Sequence, residues 1–158
     1  MLGISFITVG KLKEDYWKEA EAEYLKRIKP FARFNIHELR EESFSDKEPR
    51  DFILRKEGEK LELALQRLGP ARIIALDVGG ANYTSEGLAL RLNEWRSNAE
   101  DVAFVIGGPL GLDKTVLGQA HETLSISPLT FTHQMARVIL LEQIYRGMMI
   151  LANRKYHY

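Results

Sequence analysis

The stretch FVIGGPLGLD, residues 104–113, poses a chemical question: an apolar run breaks into Gly107-Gly108-Pro109, and Gly111 follows. Clustered glycines can cradle a phosphate, admit another small molecule, or only turn a corner. The phosphate reading fails on spacing. A P-loop has a glycine immediately before its Lys-Thr, but Asp113 precedes Lys114-Thr115 here, and a carboxylate repels a phosphate. The dinucleotide fingerprint fails as well, because GGPLG lacks the G-x-G-x-x-G spacing. A tight strand-to-helix turn and a site for a phosphate-free ligand both stay open.

Two further groups could do chemistry. His133 and Arg137 stand four apart in a helical pattern and so share a face. Glu142 and Arg146 repeat that spacing and read more simply as a surface ion pair. The tail NRKYHY mixes Arg154 and Lys155 with Tyr156, His157 and Tyr158. Cations interleaved with stacking rings suit a single-stranded nucleic acid, although chain ends are often frayed and inert. His37 and His121 have no partners at ligand spacing and read as structural. Asp77 could cap a turn as easily as serve a site. The chain has no cysteine, which excludes a disulfide framework, a thiolate metal site and a cysteine nucleophile. No metal centre is expected.

The elements that must position these groups follow from periodicity. Leu2 to Val9 reads as a strand closed by Gly10, and residues 12–29 recur at helical spacing until Pro30. A second strand fits Phe34 to Leu39. Asp46 could cap a helix from about Pro49 to Leu68, which Gly69-Pro70 stops. RIIALD, 72–77, is a buried strand closed by GGAN. Thr84 or Ser85 can cap a helix to Ser97, and DVAFVI, 101–106, is another buried strand. Asp113 can cap a short helix to Ala120, TLSIS reads as a last strand, and a helix runs from His133 to Ala152 from a start that looks uncapped. The last helix is apolar over more than one stripe, so it is either fully buried or in contact with a second subunit. Alternating strands and helices imply an α/β fold with a mainly parallel sheet flanked by helices. The loops GGAN, GGPLG and SPLTF then converge at the carboxyl ends of the strands, where such sheets bind ligands.

At 158 residues the chain reads as one domain, residues 1–158, with formal net charge zero from 22 basic and 22 acidic residues. That balance argues against loose, charge-driven nucleic-acid binding. No stretch reaches the roughly 18 apolar residues of a membrane span, and no signal peptide opens the chain. A cytoplasmic protein is expected, with neither a membrane nor DNA as partner.

Together the motifs resemble one family. IGGPLGL at 106–112, LSISPLTFTHQMARVILLEQIYR at 124–146 and the terminal YH at 156–157 are similar to the RlmH family, as are TVGK at 8–11 and ALD at 75–77. The likeness spans essentially the whole chain. It implies a SPOUT-type fold with a C-terminal trefoil knot, an exception to the unknotted rule. It also implies a homodimer, S-adenosylmethionine as methyl donor, and methylation of N3 of a pseudouridine in 23S ribosomal RNA of the assembled ribosome. On matching positions, Leu76, Gly107, Gly108, Ile126, Ser127, Pro128, Leu129, Thr130 and Phe131 would bind the cofactor. His133, Arg137, Tyr156 and His157 would serve catalysis, with Arg154 and Lys155 on RNA. Thr132 departs from the proline that many relatives carry before the histidine.

The chemistry agrees with that likeness. A phosphate-free sulfonium nucleoside needs apolar walls and close backbone approach, and the glycines would make room for it. Methylation of a ring nitrogen needs proton removal, by His133 or His157, and charge stabilisation by Arg137, but no cysteine adduct. Tyr156 would stack on or orient the base. A SPOUT enzyme for another ribosomal or transfer RNA nucleotide, and a non-catalytic ribosome-binding dimer, are the competing readings.

Overall fold

The computed structural model describes residues 1–43, 45 and 47–156. The chain runs β1 (Leu2–Val9), α1 (Asp15–Ile28), β2 (Ala32–Leu39), α2 (Arg50–Leu68), β3 (Arg72–Asn82), α3 (Ser85–Ser97), β4 (Val102–Ile106), α4 (Lys114–Gln119), β5 (Glu122–Ser125) and α5 (His133–Leu151). The strands form one sheet in the order β2-β1-β4-β3-β5, and every neighbouring pair is parallel.

Parallel pairing forces a crossover after each strand, so helices cover both faces and the central strands lose their polar side. Alternation within β1 and β4 divides the core accordingly. Leu2, Ile4, Phe6, Val102, Phe104 and Ile106 face a layer that includes Leu92, Trp95, Leu140, Leu141, Ile144 and Met148 from α3 and α5. Ile7, Val9, Ala103 and Val105 face Leu61, Leu65 and Val116 from α2 and α4. Phe6 meets Phe104 edge-on, with ring centroids 5.7 Å apart.

Several boundaries differ from the sequence expectation. The third strand does not close at GGAN. It continues to Asn82 through a register shift between Leu76 and Ala81 on β5, and Gly80 passes so close to the Thr123–Leu124 backbone that a Cβ would collide. The extra residues form a bulge in which Asp77 accepts the Gly79 N–H at 2.9 Å, so Asp77 does pin a turn. Helix α2 begins after Pro49 with no side-chain cap; the expected cap, Asp46, lies outside the described residues. Thr84 and Asp113 cap α3 and α4 as their residue types suggest. The start of α5 is capped, contrary to expectation: Thr132 accepts the Met135 N–H at 3.3 Å. Packing of α5 against α3 and α1 within one chain buries most of its apolar residues, so its wide apolar surface does not by itself call for a second subunit.

Candidate active site

A stretch within β3 and the loops after β4 and β5 enclose a cleft of about 730 Å³; β3 contributes Leu76, Asp77 and Val78, and the GGAN residues expected at this rim do not line it. Leu76, Ile106, Ile126, Leu129 and Phe131 form its apolar wall, and the backbone from Gly107 to Gly111 forms the facing edge. Of the expected cofactor residues, Leu76, Gly107, Gly108, Ile126, Ser127, Leu129, Thr130 and Phe131 line this cleft, and Pro128 does not. The loop after β5 is held by its own hydroxyls. Ser125 donates to the Ser127 carbonyl at 3.0 Å, and the Ser127 hydroxyl accepts the Leu129 N–H at 3.0 Å.

The glycines answer to the loop, not to a ligand. A Cβ on Gly107 would collide with the Gly111 carbonyl, and Gly111 adopts φ +87°, a left-handed conformation that side chains disfavour. Gly108 and Gly111 bridge to each other and close the turn. The close approach expected of a nucleoside at Gly107 is therefore made by the chain itself. What the loop offers the cleft is a rigid edge of backbone.

Sequence reasoning missed Arg50, which stands at the start of α2 and donates to the Leu110 carbonyl at 2.9 Å. It ties α2 to the glycine loop and lines the cleft. No periodicity marks such a residue, because its role depends on a contact sixty positions away in the chain.

His133 opens α5 and lines the same cleft. A Cβ on Gly10 (φ +90°) would stand 3.2 Å from its Nε2 and 3.3 Å from Oε2 of Glu41. The imidazole is half-buried and its Nε2 has no hydrogen-bond partner. Burial lowers its pKa below the ordinary value, Glu41 opposes that shift, and Lys13 and Arg137 add to it. With its pKa lowered, the ring is uncharged at neutral pH. Gln134 accepts the Lys13 N–H at 2.7 Å, which fastens the helix start to the loop after β1.

Arg137 departs from its expected place. It is buried, and its guanidinium bonds Glu21 twice, Glu38 at 2.8 Å and Thr8 at 3.4 Å. All three of its nitrogens are engaged and it does not line the cleft. Carboxylates from α1 and β2 hold it there, which ties α5 to those elements.

Of the tail, residues 154–156 stand apart from the cleft within one chain. Tyr156 donates to Glu142 at 3.2 Å, packs edge-on against Tyr145, and lies under the Arg146 guanidinium. Burial, with Tyr24 and Glu142 beside it, pushes its pKa up to about 12. Glu142 and Arg146, expected at the surface, are 18% and 25% exposed because this ring covers them. Arg154 stacks on Phe31, Lys155 is exposed, and His157 lies outside the described residues. Nine helical steps separate Glu142 from His133, about 14 Å at the helical rise. His121 accepts the Ile73 N–H at 3.0 Å, a structural role as expected, and His37 is exposed on β2.

The cleft suits a phosphate-free nucleoside in size and lining, since ligand pockets span roughly 300–1,000 Å³ with apolar walls and few polar groups. Among the described residues no cluster of His, Asp and Glu could hold a metal ion, and no helix is long and apolar enough to cross a membrane.

Comparison with known proteins agrees with this architecture. The crystal structure of a probable methyltransferase from Bordetella pertussis Tohama I superposes with a TM-score of 0.55, at 16% identity, over 92% of this chain and 95% of that one. That likeness concerns the fold alone. The ribosomal RNA large subunit methyltransferase H of Symbiobacterium thermophilum is 44% identical over 158 residues, covering 98% of each chain. Residues 2–157 match the family model described as predicted SPOUT methyltransferase. With its parallel sheet and strand-end cleft, the chain belongs to the SPOUT methyltransferase family.

Proposed function

We propose that this protein transfers a methyl group from S-adenosylmethionine to N3 of a pseudouridine in 23S ribosomal RNA, acting on the assembled ribosome as a cytoplasmic homodimer of one-domain subunits. The observation that carries the reading is the convergence of the β3 bulge and the loops after β4 and β5 on one apolar cleft beside a neutral, unpartnered histidine. The relative named as a ribosomal RNA large subunit methyltransferase supports the RNA class.

When bound, S-adenosylmethionine supplies an electrophilic methyl group on a sulfonium. Leu76, Ile126, Leu129 and Phe131 would hold its adenosine, and the Gly107–Gly111 backbone would fix its orientation and exclude water. His133 would take the N3 proton, since its imidazole is held neutral by burial and its Nε2 has no hydrogen-bond partner. Arg137 is a positioning residue in this scheme, holding the start of α5 through Glu21 and Glu38. Tyr156 and His157 would meet the target base, with Arg154 and Lys155 on phosphates.

A second copy makes sense of two features. Leu129 is 71% and Val78 50% exposed at the cleft mouth, an apolar rim that a partner would cover. Residues 154–156 do not line their own chain's cleft and would serve the partner's. The trefoil threading implied for the C-terminal part belongs to the same reading.

Mapping methylated nucleotides by mass spectrometry of 23S ribosomal RNA, from cells with and without the gene, tests the function. The expected result is one 3-methylpseudouridine that appears only with the protein. Methylation of a different RNA, or none despite measurable ribosome binding, would replace the proposal with one of its competitors.

A further inference from the structure

A second cleft, of about 670 Å³, opens beside the first and shares Pro109 and Leu110 with it. Its walls carry Lys13, Arg40 and Lys60 together with Glu41, Glu42 and Glu57. Most of these charges answer one another. Lys13 pairs with Glu41 at 3.1 Å, and Lys60 pairs with Glu42 while donating to the Arg40 carbonyl at 2.9 Å.

Glu57 is different. It stands inside α2 and is only 4% exposed. Its Oε1 accepts the Glu42 N–H at 3.0 Å, but Oε2 is buried with no partner. Burial, chiefly, raises its pKa above the ordinary carboxylate value; the Glu42 N–H and Lys60 oppose this, and the Glu41 and Glu42 carboxylates add to it. A Cβ on Gly108 would lie 3.6 Å from Oε2, so a glycine that lines the first cleft has this oxygen at its back. Folded proteins almost always satisfy a buried carboxylate oxygen, and an orphan at the junction of two clefts points to a donor that arrives with a ligand.

The acceptor proposed above carries such a donor. Uridine, joined to its ribose through N1, has a single ring N–H, at N3. Pseudouridine is joined through carbon 5 and keeps a second N–H, at N1, which methylation of N3 does not consume. We propose that Oε2 of Glu57 accepts this N1–H, making the second cleft the pocket of the target base and Glu57 the residue that tells pseudouridine from uridine. The inference rests on the substrate reading above. The cations of the cleft complete the match, since the ring carbonyls flanking N3 need donors and Lys13, Arg40 and Lys60 offer only donors. A site built around a substrate N–H rejects the analogue lacking it strongly, because its own buried group is then left unpaired.

The test is methyl transfer to assembled ribosomes bearing either pseudouridine or uridine at the target position. Glu57→Gln keeps the shape but has one acceptor oxygen for two donors, the Glu42 N–H and the base. The wild type should prefer pseudouridine, and in Glu57→Gln the ratio of kcat/KM for the two substrates should fall by at least about 100-fold. Cofactor affinity by calorimetry should not change. Glu57→Leu, which has no acceptor, should lose the preference equally. A variant that slows both substrates in parallel, with the ratio kept, would show Glu57 to be only a structural support and overturn the assignment. Should Glu57→Leu fail to fold, the isosteric Gln variant alone decides. A wild type that methylates neither ribosome would instead sink the substrate reading itself.

Discussion

His133 stands at the first helical position of α5 with a buried, unpartnered Nε2. Removing a positioned general base typically costs about 10²–10⁴-fold in rate. His133→Asn should therefore lower kcat on ribosomes by about that factor while leaving cofactor affinity unchanged in a calorimetric titration. The pH profile should lose its acid limb in the same variant. Because burial lowers the folded pKa of His133 below 6.5, the unfolded chain binds more protons between those two values. Its contribution to stability is thus complete above pH 6.5 and is lost as pH falls through that window. Thermal melts of wild type and His133→Asn should converge on acidification. Glu57 has the opposite sign. Its raised pKa means that the folded chain holds the proton longer, so stability falls as pH rises from 4.5 through the folded value. Glu57→Gln removes this titration, so the difference in melting point between the variant and wild type should shift in the variant's favour as pH rises; a difference independent of pH would contradict the raised carboxyl. Arg137 is the reverse case. Arg137→Ala strands two carboxylates around a buried space and should destabilise the fold by about 3 kcal/mol.

At the scale of elements, the turn after β4 behaves as a closed unit. Gly111→Ala forces a side chain into φ +87° and should cost about 1–2 kcal/mol, readable as a lower denaturation midpoint. Gly107→Ala should cost more, because its Cβ meets backbone, which cannot yield as a flexible side chain can. Both variants should weaken cofactor binding through a displaced loop, although neither glycine faces a ligand by necessity. The capped start of α5 gives a milder test. Thr132→Ala removes the acceptor for the Met135 N–H and should lower stability by about 1 kcal/mol. The same change should loosen the His133 ring and lower kcat more than it raises KM.

For the whole molecule, the apolar rim of Val78 and Leu129 predicts association. Light scattering should report a dimer, and Leu129→Asp should shift it toward monomer and abolish activity if the tail works in the partner's cleft. Saturating S-adenosylmethionine should raise the melting temperature, because a ligand at 100 times its dissociation constant stabilises by roughly 2.7 kcal/mol. An unchanged melt would count against the cleft as the cofactor site. With equal numbers of acidic and basic residues, activity on the proposed ribosomal substrate should fall only gently with salt compared with a basic RNA-binding domain.

Periodicity, glycine and proline punctuation, and composition were enough to determine the order of strands and helices, the parallel sheet, the meeting of the loops after β4 and β5 at one cleft, and the absence of cysteine chemistry, but not that GGAN stays within β3. These are local signals, and the pattern of side chains along a strand or helix reports directly on what its faces must bury. The motif at 124–146 also carried the family. What only the folded chain decided were the contacts between distant residues. The pairing of Arg137 with Glu21 and Glu38, the bulge that extends β3 to Asn82, the reach of Arg50 to Leu110, and the orphan oxygen of Glu57 each depend on which segments meet. A carboxylate inside an amphipathic helix reads as solvated until the neighbouring loop is seen to cover it. Glycines after a strand read as room for a ligand until the carbonyl that fills the room, Gly111's own, is in place.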